Sequence, residues 1–217
     1  MTCAHCIGAS DFFNERKASR DLRNYRAKGV PRTTGLLLDG LQAETVEDLT
    51  LLDIGGGVGV LQHELVARGV AHVINVDASP AYQAATRDEA LRRGIGDRFE
   101  YREGDFVELA PDVPEADVVT LDRVLCCYPD ADALLDAGSS RARRTLALSF
   151  PREAWFLKVA FGLVNLAQRI RRQPFRIYLH STDRIRQRLE SAGFVEVHVG
   201  RTIAWQARVF HRVEPQL

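Results

Sequence analysis

What this chain lacks first is a surplus of charge of either sign. Lys and Arg together number 29, and so do Asp and Glu, for a formal net charge of zero at pH 7. No global positive field therefore draws it to nucleic acid, and the short arginine clusters at Arg141–Arg144 and Arg169–Arg172 read as solvated. No charged-then-apolar secretory segment opens the sequence, so we expect a cytoplasmic protein with reduced thiols. Internal repeats and low-complexity linkers are missing as well. What is present is 217 residues, 46% of them hydrophobic, enough to bury one substantial core.

Two nucleotide-loop signatures are also missing. The apolar run Leu49, Leu51, Leu52 enters Asp53-Ile54-Gly55-Gly56-Gly57-Val58-Gly59, and an amphipathic helix pattern follows, with Leu61, Leu65 and Val66 spaced by Gln62, His63 and Glu64. The dinucleotide fingerprint needs G-x-G-x-x-G after a strand. Its third position is Val60 when counted from Gly55 and Gln62 when counted from Gly57, so both registers fail. The phosphate loop ending in Gly-Lys-Ser/Thr is absent. The spacing that does fit is acid-x-Gly-x-Gly-x-Gly. Glycine lets the backbone approach a ligand closely, and the helix start that follows offers unpaired N–H groups to an anion.

Further acids close the next strand patterns. Val70–Val76 ends at Asp77-Ala78-Ser79, where an acid suits a bidentate hydrogen bond to ribose hydroxyls; the plain alternative is a solvated helix cap. Phe99–Glu103 leads into Gly104-Asp105-Phe106, and Asp117–Leu121 runs into Asp122-Arg123. This order resembles that of class I S-adenosylmethionine methyltransferases, over roughly residues 45 to 150. The resemblance implies that Asp53, Gly55, Gly56, Gly57 and Gly59 hold the methionine end of S-adenosylmethionine. It places Asp77 and Ala78 at the ribose, Asp105 and Phe106 at the adenine, and Asp122 where cofactor and acceptor meet. The Asp/Asn-Pro-Pro-aromatic signature of the amino-methylating nucleic-acid enzymes is absent.

A fifth strand pattern spans Arg144–Phe150, a helix Thr182–Ala192, and two last strands Phe194–Val199 and Ile203–Phe210. This alternation predicts an α/β, doubly wound, mostly parallel seven-stranded sheet, Rossmann-like, with one antiparallel strand and a terminal hairpin. Ligands in such sheets bind outside the carboxyl ends of the strands. Residues 1–44 are expected as an N-terminal helical extension or cap, with a helix from Asp11 to about Lys28. Residues 45–217 are the cofactor-binding domain, including an apolar helical insertion over 152–180. The helix within Arg152–Arg172 is apolar on more than one face but too short and too charge-flanked to span a membrane. It reads as a lid over a hydrophobic substrate, a dimer or core helix, or a peripheral membrane helix. Monomer and homodimer both remain open.

The flanks look like those of magnesium-protoporphyrin O-methyltransferases. They carry the aromatic pair Phe12-Phe13, Tyr128-Pro129 after strand four, Phe150-Pro151, an apolar helix, and Tyr178-Leu179-His180. Those enzymes tend to carry His where this chain has Cys127, and Tyr-Phe where it has Phe12-Phe13. The resemblance implies a small apolar or aromatic acceptor methylated at oxygen. Phe12, Phe13, Arg123, Tyr128, Trp155 and His180 are the substrate-binding candidates, and His180, Tyr128 or Cys127 the catalytic base. A carboxylate acceptor would need no base, and Arg123 could pair with one. The rival reading is a protein of this fold that binds cofactor or a partner without transfer. Cys3-Ala4-His5-Cys6 looks like half a zinc site, but adjacent Cys126-Cys127 make a poor second pair, so no metal is expected.

Overall fold

The computed structural model describes residues 8, 12–42 and 46–213. Cys3, His5, Cys6 and the Asp11 helix start lie outside the described residues, as does the 44/45 boundary. Helix α1 (Glu15–Lys28) starts at Asn14, whose side chain accepts from the Lys17 amide, and stops at Gly29, with φ +74°. After Pro31 a second helix, α2 (Arg32–Leu41), follows. Then come β1 (Thr50–Ile54), α3 (Val60–Ala67), β2 (His72–Asp77), α4 (Pro80–Arg92), β3 (Phe99–Glu103), the single turn α5 (Phe106–Leu109) and β4 (Ala116–Asp122). The chain closes with α6 (Ala131–Arg141), β5 (Ala142–Pro151), α7 (Trp155–Ile170), α8 (Thr182–Ser191), β6 (Phe194–Arg201) and β7 (Trp205–Arg212).

The seven strands form one sheet in the order β3-β2-β1-β4-β5-β7-β6. Only β7 runs antiparallel to its neighbours, inserted between β5 and β6, which matches the predicted sheet. Strand alternation sends successive side chains to opposite faces. Leu52, Ile74, Val119, Leu146 and Phe210 pack on one face with Leu134, Leu135, Ile185 and Leu189 of α6 and α8. Leu51, Val73, Val118, Ala147 and Val209 pack on the other with Leu61 and Leu65 of α3 and with Leu37, Leu38 and Leu41 of α2.

Helix α2, within the N-terminal segment, packs into the second core: Leu37 and Leu41 are buried, each stabilising by roughly 1.5–3 kcal/mol. One expectation needs correction. Helix α3 is not amphipathic in the expected sense, because Gln62 and His63 are buried along with the leucines. Their polarity serves an interior network instead of a solvated face.

The carboxyl ends of β1, β2 and β4 converge where the strand order reverses between β1 and β4. Crossovers leave in opposite directions there, so a crevice opens between them.

Candidate functional site

Two adjoining cavities, of about 390 and 430 Å³, open at that crevice and share Lys17, Asp21, Gly55, Gly57, Tyr82, Asp122 and Arg123 in their walls. The glycine turn is held by the Gly55 amide, which donates to the Val76 carbonyl at 2.7 Å. Gly55 and Gly57 take φ values of +64° and +60°, a region side chains avoid. A Cβ on Gly57 would touch only the Tyr82 ring, at 3.5 Å, so its bare backbone borders open cavity. Gly56 borders the larger cavity, but a Cβ there would stand 2.1 Å from Gln62 Nε2 and 2.4 Å from Asp53 Oδ2. Gly59 borders neither cavity among the described residues. It opens α3, and a Cβ would strike Thr86 and His63, so its bareness serves helix packing.

Asp53 is fully buried at the end of β1. Thr120 Oγ1 donates to its Oδ1 at 2.6 Å and Gln62 Nε2 to its Oδ2 at 2.7 Å. Burial pushes the carboxyl up to about 7 in spite of these bonds, and the Asp122 and Asp77 charges add to the rise. Asp77 accepts from the Ser79 amide at 2.8 Å and the Gly57 amide at 3.2 Å, so it ties the end of β2 to the glycine turn. Burial raises it to about 6. Asp105 caps α5 through the Val107 amide and accepts the Tyr128 hydroxyl at 2.9 and 3.1 Å. Asp122 accepts from Thr34 Oγ1 at 2.6 Å and Ser149 Oγ at 2.5 Å. Asp77, Ala78, Asp105, Phe106 and Asp122 all line the smaller cavity, and Asp53 borders the larger.

The same smaller cavity continues into an apolar wall built by Phe12, Phe13, Phe161, Phe175, Ile177 and Trp205. Phe12 stacks on Phe175 with ring centroids 4.3 Å apart, and Phe13 meets Phe175 and Tyr82 edge-on. The Ser79 hydroxyl donates to the Phe13 carbonyl at 2.7 Å, which fastens the N-terminal pair to the β2 end. Two cations face this space. Lys17 Nζ stands 5.6 Å from the centroids of both rings of the Phe12-Phe13 pair. Arg123 takes φ +63°, a conformation costing on the order of 1–3 kcal/mol for a non-glycine residue. It is held there by its own amide, which donates to Ser149 Oγ at 3.0 Å.

The three candidate bases fare differently. His180 borders neither cavity; its Nε2 lies 2.9 Å from the Leu125 carbonyl and 3.1 Å from the Tyr128 carbonyl, so it braces the 125–128 turn. Tyr128 does border the cavity, but its hydroxyl proton goes to Asp105. Burial first, and that hydrogen bond second, hold the phenol well above its ordinary range. Cys127 also borders the cavity, with its sulfur 3.7 Å from that of Cys126. The bond shared with Cys126, then burial, raise the Cys127 thiol, which opposes a role in taking up protons near neutrality. Trp155 is 78% exposed and lines neither cavity; Trp205 supplies the indole there. No described group of His, Cys, Asp and Glu could hold a metal ion.

The chemistry was partly missed in the sequence. Gln62 and Thr120 carried no signal, since each sits where a helix or strand pattern alone explains it. Phe175 and Trp205 lie in segments far from the cofactor motifs, and only their aromatic character marked them.

Residues 51–148 match the family model described as a methyltransferase domain. Ribosomal protein L11 methyltransferase from Enterobacter sp. (strain 638) is 38% identical over 92 residues, covering 42% of this chain and 30% of that protein. The chain thus spans about a third of the length of the curated relatives it matches. Among solved structures, magnesium protoporphyrin IX methyltransferase from Synechocystis PCC 6803 with bound SAH aligns with a TM-score of 0.74 at 23% identity, over 94% of this chain and 98% of that one. An O-methyltransferase family 2 protein from Planctomyces limnophilus in complex with apigenin aligns at 0.67 and 21% identity, over 92% and 62%. At these identities the structural likeness establishes the fold.

Proposed function

We propose that this class I methyltransferase fold uses S-adenosylmethionine to methylate a carboxylate oxygen of a small, apolar or aromatic acceptor. The donor set fits that cofactor. Gly57 leaves the backbone bare beside the cavity, and Gly55, where a Cβ would meet Val124, borders it too. Asp77 offers a carboxylate already oriented by two amides, and Asp105 and Phe106 lie next to it in the same wall. In this reading Gly55 and Gly57 hold the methionine portion, Asp77 the ribose, and Asp105 with Phe106 the base. When bound, the cofactor supplies a methyl group on a positively charged sulfur, activated without help from the protein.

What remains for the chain is to orient the acceptor and exclude water. The aromatic wall gives an apolar acceptor a dry seat. The observation that carries the carboxylate assignment is a contrast in the cavity wall. The candidate bases are committed to Asp105, to main-chain carbonyls or to a raised thiol, whereas Lys17 and Arg123, each paired with one neighbouring carboxylate (Asp21 at 3.5 Å and Asp122 at 3.6 Å), both face the space with donors to spare. A carboxylate is ionised at neutral pH and needs no base, and cations both position and desolvate it. The family match ends at residue 148, before Phe161, Phe175 and Trp205. The acceptor of the ribosomal-protein relatives is therefore not carried over.

The test is release of S-adenosylhomocysteine from a panel of aromatic carboxylic acids and the matching phenols. Turnover with the acids, and a raised KM for them in Arg123→Ala, is expected. Turnover confined to phenols would overturn the carboxylate assignment. Firm binding of S-adenosylmethionine without turnover on any acceptor would favour the binding-only reading.

A further inference from the structure

Helix α7 covers the aromatic wall with one side and leaves the other bare. Trp155, Val159, Leu163, Leu166 and Ile170 recur every three or four residues and are 54–78% exposed. They form one stripe along a helix about 24 Å long. Ile203, in the turn between β6 and β7, is 81% exposed. That turn is tied to the entrance of α7, because Arg152 donates to the Thr202 carbonyl. An apolar stripe of this length on an isolated chain marks a contact with something else.

Charge says what. In a chain with no net charge, residues 152–180 carry six basic side chains (Arg152, Lys158, Arg169, Arg171, Arg172 and Arg176) and one acid, Glu153. Glu153 is spent on the Thr182 amide, which donates to it at 2.8 Å. A second copy placed against this face would set basic groups against basic groups. An anionic bilayer surface offers an apolar boundary for the stripe and negative headgroups for the arginines, with a tryptophan suited to the interface between them. No described helix is long and apolar enough to cross a membrane, so contact would be from one side.

We propose that α7 lies along an anionic lipid surface with Trp155, Leu163 and Ile170 in the headgroup–acyl boundary. Phe161 of the same helix lines the cavity, so the lipid-facing helix is also the outer wall of the acceptor site. The proposal does not depend on the methyl-transfer reading, because lipid binding is measured without cofactor or acceptor.

The experiment is co-sedimentation of the full chain with phosphatidylcholine vesicles, with and without phosphatidylglycerol. Binding should require phosphatidylglycerol and weaken steeply with salt. Leu163→Glu with Ile170→Glu should lower the partition coefficient about tenfold or more. Arg171→Glu with Arg172→Glu should do so by a similar factor. Neither pair should move the thermal melt, since all four side chains are exposed. Equal binding to neutral vesicles, no binding to anionic ones, or unchanged binding by both double variants would overturn the proposal. So would self-association of the wild type that Leu163→Glu abolishes in the absence of lipid affinity.

Discussion

Asp53→Asn should make the free protein more stable at pH 8 while weakening its hold on S-adenosylmethionine. Burial raises the Asp53 carboxyl from 3.8 to about 7, so the folded chain binds its proton more tightly than the unfolded one. The resulting penalty is absent below pH 4, grows between about 4 and about 7, and is complete above that. At ~1.4 kcal/mol per pH unit, it amounts to roughly 4 kcal/mol. Asparagine removes the charge and keeps the shape. Its amide needs an acceptor where Gln62 now donates, and rotating the Gln62 amide provides one. The Asn75 amide, whose Nδ2 now donates to Gln62 Oε1, must rotate with it, and that turns Asn75 Oδ1, a buried oxygen that lacks a partner, toward the new Gln62 donor. We therefore expect a gain of roughly 2–4 kcal/mol in urea denaturation at pH 8, shrinking toward zero at pH 4. Calorimetry should show affinity for the cationic cofactor falling about tenfold or more, since an ionised Asp53 favours a positive ligand. A variant less stable than wild type at pH 8, or equally favoured at both pH values, would refute the reasoning.

Gly57→Asp should abolish cofactor affinity. The Cβ itself has room against Tyr82, but the side chain adds a second carboxylate beside Asp77 at a positive φ, and unchanged affinity by calorimetry would count against the site. Affinity should also fall as pH drops through about 6, where Asp77 gains a proton and loses an acceptor; a flat pH dependence would remove Asp77 from the ribose. His180→Ala should cost about 1 kcal/mol of stability through loss of the carbonyl contacts. Its pH–rate profile should keep the wild-type shape, and loss of one ionisation from that profile would restore His180 as the base. Tyr128→Phe should raise the KM for S-adenosylmethionine a fewfold through Asp105 and leave the reaction's pH dependence unchanged, as pH-resolved initial rates would report.

The gathering of the strand-end acids at one crevice was legible because it is local. Asp53, Asp77 and Asp122 lie at the carboxyl ends of β1, β2 and β4, Asp105 comes two residues after β3, and a parallel sheet carries every such end to one edge. Strand periodicity and acid position are thus enough to bring the four together without knowledge of long-range packing. The same local reading failed at α3. There Gln62 and His63 alternate with leucines as on a solvated face, yet the helix is enclosed by the sheet, α2 and α4.

The acceptor half is non-local, and its residues acquire meaning only from what they meet. Phe12 reaches the cavity by stacking on Phe175, more than 160 positions away in sequence, and Trp205 arrives from the antiparallel strand. His180 shows the converse. Its place in a family-like Tyr-Leu-His segment suggested a base, but two main-chain carbonyls claim its ring nitrogen. A proton acceptor in the cavity must come from some other group, or the acceptor must arrive already ionised. The two cations in the wall favour the second route. Replacing Lys17 by Met should then raise the KM for an aromatic acid several-fold and leave the inhibition constant of a neutral ester analogue, used as a competitive inhibitor, unmoved. Equal weakening of both would mean that Lys17 packs on the Phe12-Phe13 pair rather than reading charge.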